Sequence, residues 1–388
     1  MNKRKRQHYV PQFYLRNFVR DDKNFTILNI NSQSIIENVP YKKQCYEDYY
    51  YGEDEKWEVK LGEIESAASI IIRKINEGNE YFPNLEEINI LKKYILYQRY
   101  RTVSNKENIS NLQWNATKIL LEMELNKENK YISPQILENL RKNFEKEHGD
   151  AIPQMALDIT SHLIDKIYDL ELIILNYNNQ KHKLISSDNP VILYNSFYKR
   201  ALGLTNAGLI IMLPINSNKM ILLIDTKMYP RYKGKKIINL TNENEVRMLN
   251  VFQLISSNKI VYLKDKNQAT LILSDLKKYQ EERSKFKKLG EGQTMGPENE
   301  KILAFSQAFI PINYQFSFSK VHSKGKGFIE NEIDWFTREK NVEYENRMLM
   351  RPQILKITGI LKGKFRKNNI KNVEKFNKFV YDYWNNRL

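Results

Sequence analysis

The sequence predicts an α+β protein, a helical block packed on a mostly antiparallel sheet, followed by a basic C-terminal extension. Three observations predict it. Apolar residues recur every three to four positions over 54–170, then change to period two and short apolar runs over 171–265. Polar residues with Gly290, Gly292 and Gly296-Pro297 interrupt the pattern over 276–300. From Lys264 to Leu388, Lys and Arg number 25 against 15 Asp and Glu, so +10 of the net +16 lies in the last third. The expected organisation is a core over 1–275, a polar linker or insert over 276–300, and a basic region over 301–388.

The elements follow in order. Pro11 pre-sets a helical φ and lacks an N–H, which predicts a helix from Pro11 to about Phe18 with Leu15 and Phe18 on one face. Its free first-turn N–H groups would lie behind His8, with Gln12 among them and Lys3 to Arg6 beside them, a candidate anion site. Phe25 to Ile30 and Ser34 to Val39 read as a hairpin around Asn31-Ser32. Leu61, Ile64, Ala68, Ile71 and Ile75 form one stripe of a helix over 54–75. Further helices are expected from Pro83 to about Thr102, over 108–125, from Ser133-Pro134 to near Gly149, and from Pro153 through Ile167. The strands expected at 171–177 and 182–186 flank Asn178-Asn179, a hairpin signal. More strands are expected at 191–194, 208–213, 220–225 and 259–263, with a helix from the capping-box pattern at Asn242–Glu245 to Ser256.

Composition narrows the class. Hydrophobic residues at 41% and aromatics at 12% suffice for a core, while 28% charged residues and a mean hydropathy of -0.61 indicate a soluble chain. No apolar run approaches the roughly 18–20 residues of a membrane helix, and the basic start has no apolar segment, so neither a membrane span nor a secretory signal is expected. The single Cys45 excludes an intrachain disulfide and a Cys-based zinc site, and the expected compartment is cytoplasmic. The +16 charge favours a polyanionic partner, RNA or DNA before an anionic membrane surface.

His8-Tyr9-Val10-Pro11-Gln12-Phe13-Tyr14-Leu15-Arg16-Asn17-Phe18 resembles the opening signature of a bacterial family known only as domain of unknown function 4238. Tyr97-Gln98-Arg99-Tyr100-Arg101-Thr102 is similar to that family's helix carrying Gln and Arg-Thr. Ile185-Ser186-Ser187-Asp188-Asn189-Pro190-Val191 is similar to its Thr-Ser-Asp-x-Pro-Val segment, with Ser186 where Thr is usual. Leu213-Pro214-Ile215 and Asn250 also fit. The resemblance spans roughly 5–265 and implies no activity.

The candidate chemistry centres on His8, Arg101 and Asp188. His8 is a candidate general base or transition-state donor, and Gln12 a substrate contact. Gln98 and Arg101, three apart, share a helix face, where a guanidinium grips phosphate or pairs with Glu63, Glu65 or Asp188 in the interior. Asp188 and Asn189 precede Pro190 in a turn that presents a carboxylate, either to hold Mg²⁺ and orient His8 or to cap nearby N–H groups. Asp225-Thr226-Lys227 matches the short acid-x-Lys element of restriction-type nucleases. Phosphate-loop, serine-hydrolase, zinc-protease and dinucleotide motifs are missing, and His148, His162, His182 and His322 lack metal-ligand spacing. Lys364, Arg366 and Lys367, interleaved with aromatics, suit a nucleic-acid-binding helix. The leading expectation is a nuclease or related phosphodiester-acting protein with a toxin or anti-phage role. The alternatives are a non-catalytic nucleic-acid-binding or regulatory protein and a protein-interaction module.

Overall fold

Pairing partners, rather than chain order, sort the strands into sheets. The computed structural model describes residues 5–320 except 22, 79, 128–131, 179–181, 197–202, 290–292, 296–301, 305–309 and 313. In chain order the elements are β1 (Arg6–His8), α1 (Gln12–Leu15), β2 (Asn24–Asn29), β3 (Ser34–Pro40), β4 (Tyr46–Asp48) and the helices α2 (Lys56–Glu77), α3 (Leu85–Tyr100), α4 (Val103–Lys127), α5 (Pro134–His148) and α6 (Ile152–Ser161). There follow β5 (Glu171–Asn176), β6 (Ser186–Ser187), β7 (Ile192–Asn195), β8 (Leu209–Pro214), β9 (Lys219–Ile224), β10 (Ile237–Asn239), α7 (Glu243–Ser256), β11 (Ile260–Leu263), α8 (Ala269–Lys278) and α9 (Gln280–Leu289), then a short strand pair, Gln293–Met295 with Ile302–Ala304.

The architecture is α+β with mostly antiparallel sheets. One sheet has the order β10-β5-β9-β8-β7, antiparallel except for the β10–β5 pair. Every residue of β7, β8 and β9 is buried, so both faces are covered. That explains why these strands read as continuous apolar runs rather than as alternation. Leu172, Ile174, Ile211, Leu213, Ile221 and Leu223 pack with Leu61, Ile64, Ala68 and Ile71 of α2 and with Leu91 and Ile95 of α3. On β7, Tyr194 meets Phe252 of α7, and Phe316 stands edge-on to both rings. The second sheet, β3-β2-β11-β6, is antiparallel, and Leu28, Val261 and Leu263 bury against Leu254 and the α8 residues Ala269, Ile272 and Leu276.

Most elements lie where the sequence places them, because each is closed by local chemistry. The α3 start has a full capping box, with Asn84 and Glu87 bonding each other's backbone N–H. Ser133 caps α5 ahead of Pro134. Two expectations are corrected. Segments 171–177 and 182–186 do not form a hairpin. β5 joins the first sheet beside β9 and β10, and Ser186–Ser187 joins the second beside β11. Periodicity marks a strand but carries no information on its partner. The helix after Pro11 is a single turn continued as a 3-10 turn, Arg16–Phe18, with Pro11 as its extended cap. Within 276–300, expected as a polar linker or insert, lies α9, held by the buried Phe286 and by Arg283, which donates to the carbonyls of Ile255, Ser257 and Asn258 at the end of α7. Most of the basic region, 321–388, lies outside the described residues.

Tyr14 bridges the two sheets from the first turn. Its hydroxyl donates to the Pro214 carbonyl at 2.7 Å and lies 2.8 Å from Ser186 Oγ. Tyr14→Phe keeps the ring and strands both partners, so unfolding by urea is expected to show a loss of about 1–3 kcal/mol. An unchanged midpoint would remove this bridge from the account.

Candidate functional site

His8 is placed by a strand that a side chain holds in register. β1 pairs antiparallel with β4, setting His8 opposite Tyr46. Gln7, fully buried, donates to the Gly52 carbonyl at 2.9 Å and accepts the Tyr51 N–H at 2.5 Å. Tyr51 donates its hydroxyl to the His8 carbonyl, and the Tyr9 N–H bonds to Cys45. To wrap β1 in this way the chain turns repeatedly into the left-handed region, at Cys45 (φ 55°), Tyr49 (φ 53°), Gly52 (φ 92°) and Glu55 (φ 56°). Three of these residues carry a Cβ that disfavours it, and such strain persists only where surrounding contacts over-determine the backbone.

The His8 ring faces a polar pocket of about 310 Å³ lined by Pro11, Gln12, Phe13, Glu58, Gly62, Glu65, Ser66 and Ser69. The α2 members are spaced 58, 62, 65, 66 and 69, one stripe of that helix. A Cβ built on Gly62 meets nothing within 4 Å, so the glycine keeps open space in the middle of the stripe. Gln12 Nε2 lies 3.2 Å from His8 Nε2. With the amide donating, the lone pair of Nε2 accepts the Gln12 N–H and the ring proton resides on Nδ1. Burial lowers the His8 pKa below its ordinary 6.5; the charges of Arg101 and Arg6 push the same way, and a hydrogen bond with the Lys42 backbone opposes them. The ring is therefore neutral at neutral pH and competent to take a proton.

Arg101 is not in the pocket. Only 1% exposed, it donates from Nε and Nη2 to Gln98 Oε1 at 2.8 and 2.6 Å and from Nη1 to Glu65 Oε1 at 2.5 Å. Of the partners open to it in the sequence, the structure selects Glu65, the residue that lines the pocket in front of it. Gln98, whose Oε1 is thus occupied, donates Nε2 to the Tyr9 carbonyl at 3.1 Å. Neither residue presents a free group to substrate; both position the backbone beside His8.

Asp188 is also withdrawn from chemistry. It is 5% exposed and its carboxylate accepts the backbone N–H groups of Asn258, Lys259 and Ile260 at 2.8, 2.7 and 3.0 Å. Burial pushes its carboxyl upward, against these three donors and the Arg283 charge. A carboxylate so occupied does not hold Mg²⁺ or orient His8, and among the described residues no three His, Cys, Asp or Glu side chains gather as a metal site. Asn189 is equally committed: its Oδ1 accepts from Arg99 and Thr102, and its Nδ2 donates to Ser256. Asp225 accepts the Gly208 and Lys227 N–H groups, which makes the acid-x-Lys pattern a turn clasp. Lys364, Arg366 and Lys367 lie outside the described residues.

The three signature segments therefore meet as a closed triangle of hydrogen bonds. Tyr14 joins the first to Ser186 of the third, Gln98 of the second joins Tyr9 of the first, and Arg99 with Thr102 joins the second to Asn189. Of the residues singled out in the sequence, only His8 and Gln12 reach the pocket. Glu58, Ser66 and Ser69 were missed as site residues; their signal was a polar stripe on α2 opposite Leu61 and Ile64, a pattern shared by any solvated helix face.

Fold and site together describe an α+β protein with a neutral histidine in a polar pocket, the three segments around it locked by buried polar contacts. The chain belongs to the family described as protein of unknown function DUF4238, whose model matches residues 6–267. No curated protein and no solved structure matches it. Among the described residues no helix is long and apolar enough to cross a membrane.

Two expectations follow. Asp188→Ala leaves three buried N–H donors without an acceptor and is expected to lower stability by about 3 kcal/mol or more, with Asp188→Asn less damaging, measured by chemical denaturation. His8 titrates lower in the folded chain than in the unfolded one, so the unfolded state takes up its proton first on acidification. Its contribution is constant above about pH 6.5 and is lost as pH falls from there toward the folded value. The slope of stability against pH should flatten in His8→Gln, and a ring titration by NMR at or above the ordinary value would contradict the assignment.

Proposed function

We propose that the protein acts on the phosphodiester backbone of RNA or DNA, with His8 as general base. The observation that carries this reading is the neutral His8 ring lining an open polar pocket, its unprotonated Nε2 held by the Gln12 amide. Once the Gln12 amide turns from the ring to the substrate, Nε2 accepts the proton of the attacking oxygen, from water or a ribose hydroxyl, as that oxygen bonds to phosphorus. The imidazolium so formed returns a proton to the departing oxygen. Gln12, Ser66 and Ser69 supply neutral hydrogen bonds to phosphate oxygens. Glu65 does not repel them fully, because Arg101 matches its charge directly behind the pocket. The net +16 of the chain supports a polyanionic substrate.

A second reading, a nucleic-acid-binding protein without cleavage, is favoured by one observation. Arg101, Gln98, Asp188 and Asn189 are all engaged in holding the fold. Purified protein incubated with RNA, DNA and tRNA, with Mg²⁺ or with a chelator, separates the two. Under the first reading His8→Ala lowers the cleavage rate by about 10²–10⁴ and the wild-type rate rises with pH through the titration of the ring. Cleavage that survives in His8→Ala rejects His8 as base. Salt-dependent binding without any cleavage establishes the second reading.

A further inference from the structure

A short segment outside the family match is held on the core in the way that a bound peptide is held. The segment is Tyr314 to Ser319; Tyr194, Ser196, Tyr232, Glu245 and Phe252, which hold it, all lie within the matched residues 6–267. Core side chains supply the hydrogen bonds. The Tyr194 hydroxyl donates to the Tyr314 carbonyl, the Tyr232 hydroxyl to the Ser317 carbonyl at 2.5 Å, and Ser196 Oγ to the Ser319 carbonyl at 3.3 Å. Glu245 accepts the Ser317 N–H at 2.5 Å and its hydroxyl at 2.8 Å. Phe316 and Phe318 are fully buried and stack on each other at 4.9 Å, with Phe316 edge-on to Tyr194 and Phe252. The segment joins neither sheet as a strand, and the backbone bond within it, Ser319 N–H to the Phe316 carbonyl, is its own.

Glu245 is the most telling of these groups. Its place in the first turn of α7, three residues after Asn242, suits it to cap its own helix. Asn242 does cap, accepting the Asn244 N–H at 3.0 Å, but the Glu245 carboxylate turns to Ser317 instead. It is 5% exposed, and a carboxylate so placed needs donors. Among the described residues its side-chain hydrogen bonds both come from Ser317, in the pairing of an N–H and a side-chain hydroxyl with one carboxylate. When the segment leaves, the carboxylate faces the space vacated and water replaces the two donors. Two phenyl rings and a handful of side-chain contacts to backbone are the makings of peptide recognition. With no ladder to either sheet, such a segment can part from the core without unfolding it.

We propose that β7, α7 and Tyr232 form a binding groove for a short peptide carrying Phe-Ser-Phe, and that its occupant is this chain's own segment 314–319, docked reversibly. Phe316 and Phe318 fill the aromatic floor, and Glu245 reads the Ser317 N–H and hydroxyl between them. Tyr194, Tyr232 and Ser196 fix the backbone. The chain runs on from Lys320 into the basic region, so this docking is the described attachment of that region to the core. The groove is independent of the His8 pocket and of the chemistry proposed there.

Titration calorimetry of the full chain with a synthetic peptide of residues 312–320 tests this. The double variant Phe316→Ala, Phe318→Ala empties the groove and leaves its walls intact. It should bind the peptide saturably, about tenfold or more tighter than the wild type, whose groove is filled. Adding Tyr232→Phe removes the donor to the Ser317 carbonyl and should weaken that binding by about tenfold. No binding by the folded double variant, or binding that Tyr232→Phe leaves unchanged, overturns the site. Hydrogen exchange of the wild type, read by mass spectrometry, needs no variant to fold. Residues 314–319 should exchange about a hundredfold or more faster than Leu209–Pro214 of β8, because the segment undocks while the sheet stays closed. Equal protection would make the segment integral core and end the proposal. A wild-type dimer that the double variant splits into monomers would place a second copy's segment in the groove and overturn the intrachain occupant.

Discussion

A permanent positive charge buried at Arg101 is the constraint on which the arrangement around the pocket depends. A guanidinium 1% exposed is tolerable only when its donors are matched, and the matching groups come from different parts of the chain. Glu65 brings α2, Gln98 fixes the side chain from the preceding turn of α3, and the amide of Gln98 then reaches the backbone at Tyr9. One charge thereby sets the separation of α2, α3 and the N-terminal strand. His8 and Gln12 flank that point of attachment, so the distance between the ring and the α2 stripe follows from it.

The remaining signature residues do for the sheets what Arg101 does for the helices. Asp188 gathers three successive N–H groups where α7 gives way to β11, and Asn189 ties the same corner to α3. Each is a buried polar group whose partners are provided in full, and removal of either leaves donors that water cannot reach. The lesson extends to the strained backbone at Cys45, Tyr49 and Glu55. Hydrogen bonds from Tyr51 to Gln7 and His8 and from Tyr9 to Cys45 hold this wrapping, and it is what turns His8 toward a pocket instead of solvent. Arg99, by contrast, has a single side-chain partner among the described residues, Asn189.

Much of the fold was legible because it rests on local chemistry. The stripe from Leu61 to Ile75, the caps at Asn84 and Ser133 and the apolar run from Leu209 to Leu213 announce their elements within a few residues of themselves. The site was legible in part. His8 and Gln12 stood out as a rare titratable residue and a nearby amide, whereas Asp188 and Arg101 drew attention for the right reason and the wrong role. A carboxylate before a turn and an arginine on a helix look the same in sequence whether they face a ligand or another part of the protein. The stripe of Glu58, Ser66 and Ser69 was invisible as a site, since its polarity equals that of a solvated surface.

The sequence by itself determined the α+β class, the order of most helices and strands, the family and the pair His8 and Gln12. Each of these is carried by neighbours in the chain or by a short motif. Only the tertiary structure decided that β5 and β6 part into different sheets, that Glu65 answers Arg101, and that Asp188 is a clasp. It also decided that Arg99 meets Asn189, from the third signature segment. The physical reason is common to all four: they depend on which backbone donors, carboxylates and strands arrive from more than thirty residues away, and local preference does not encode the arrival.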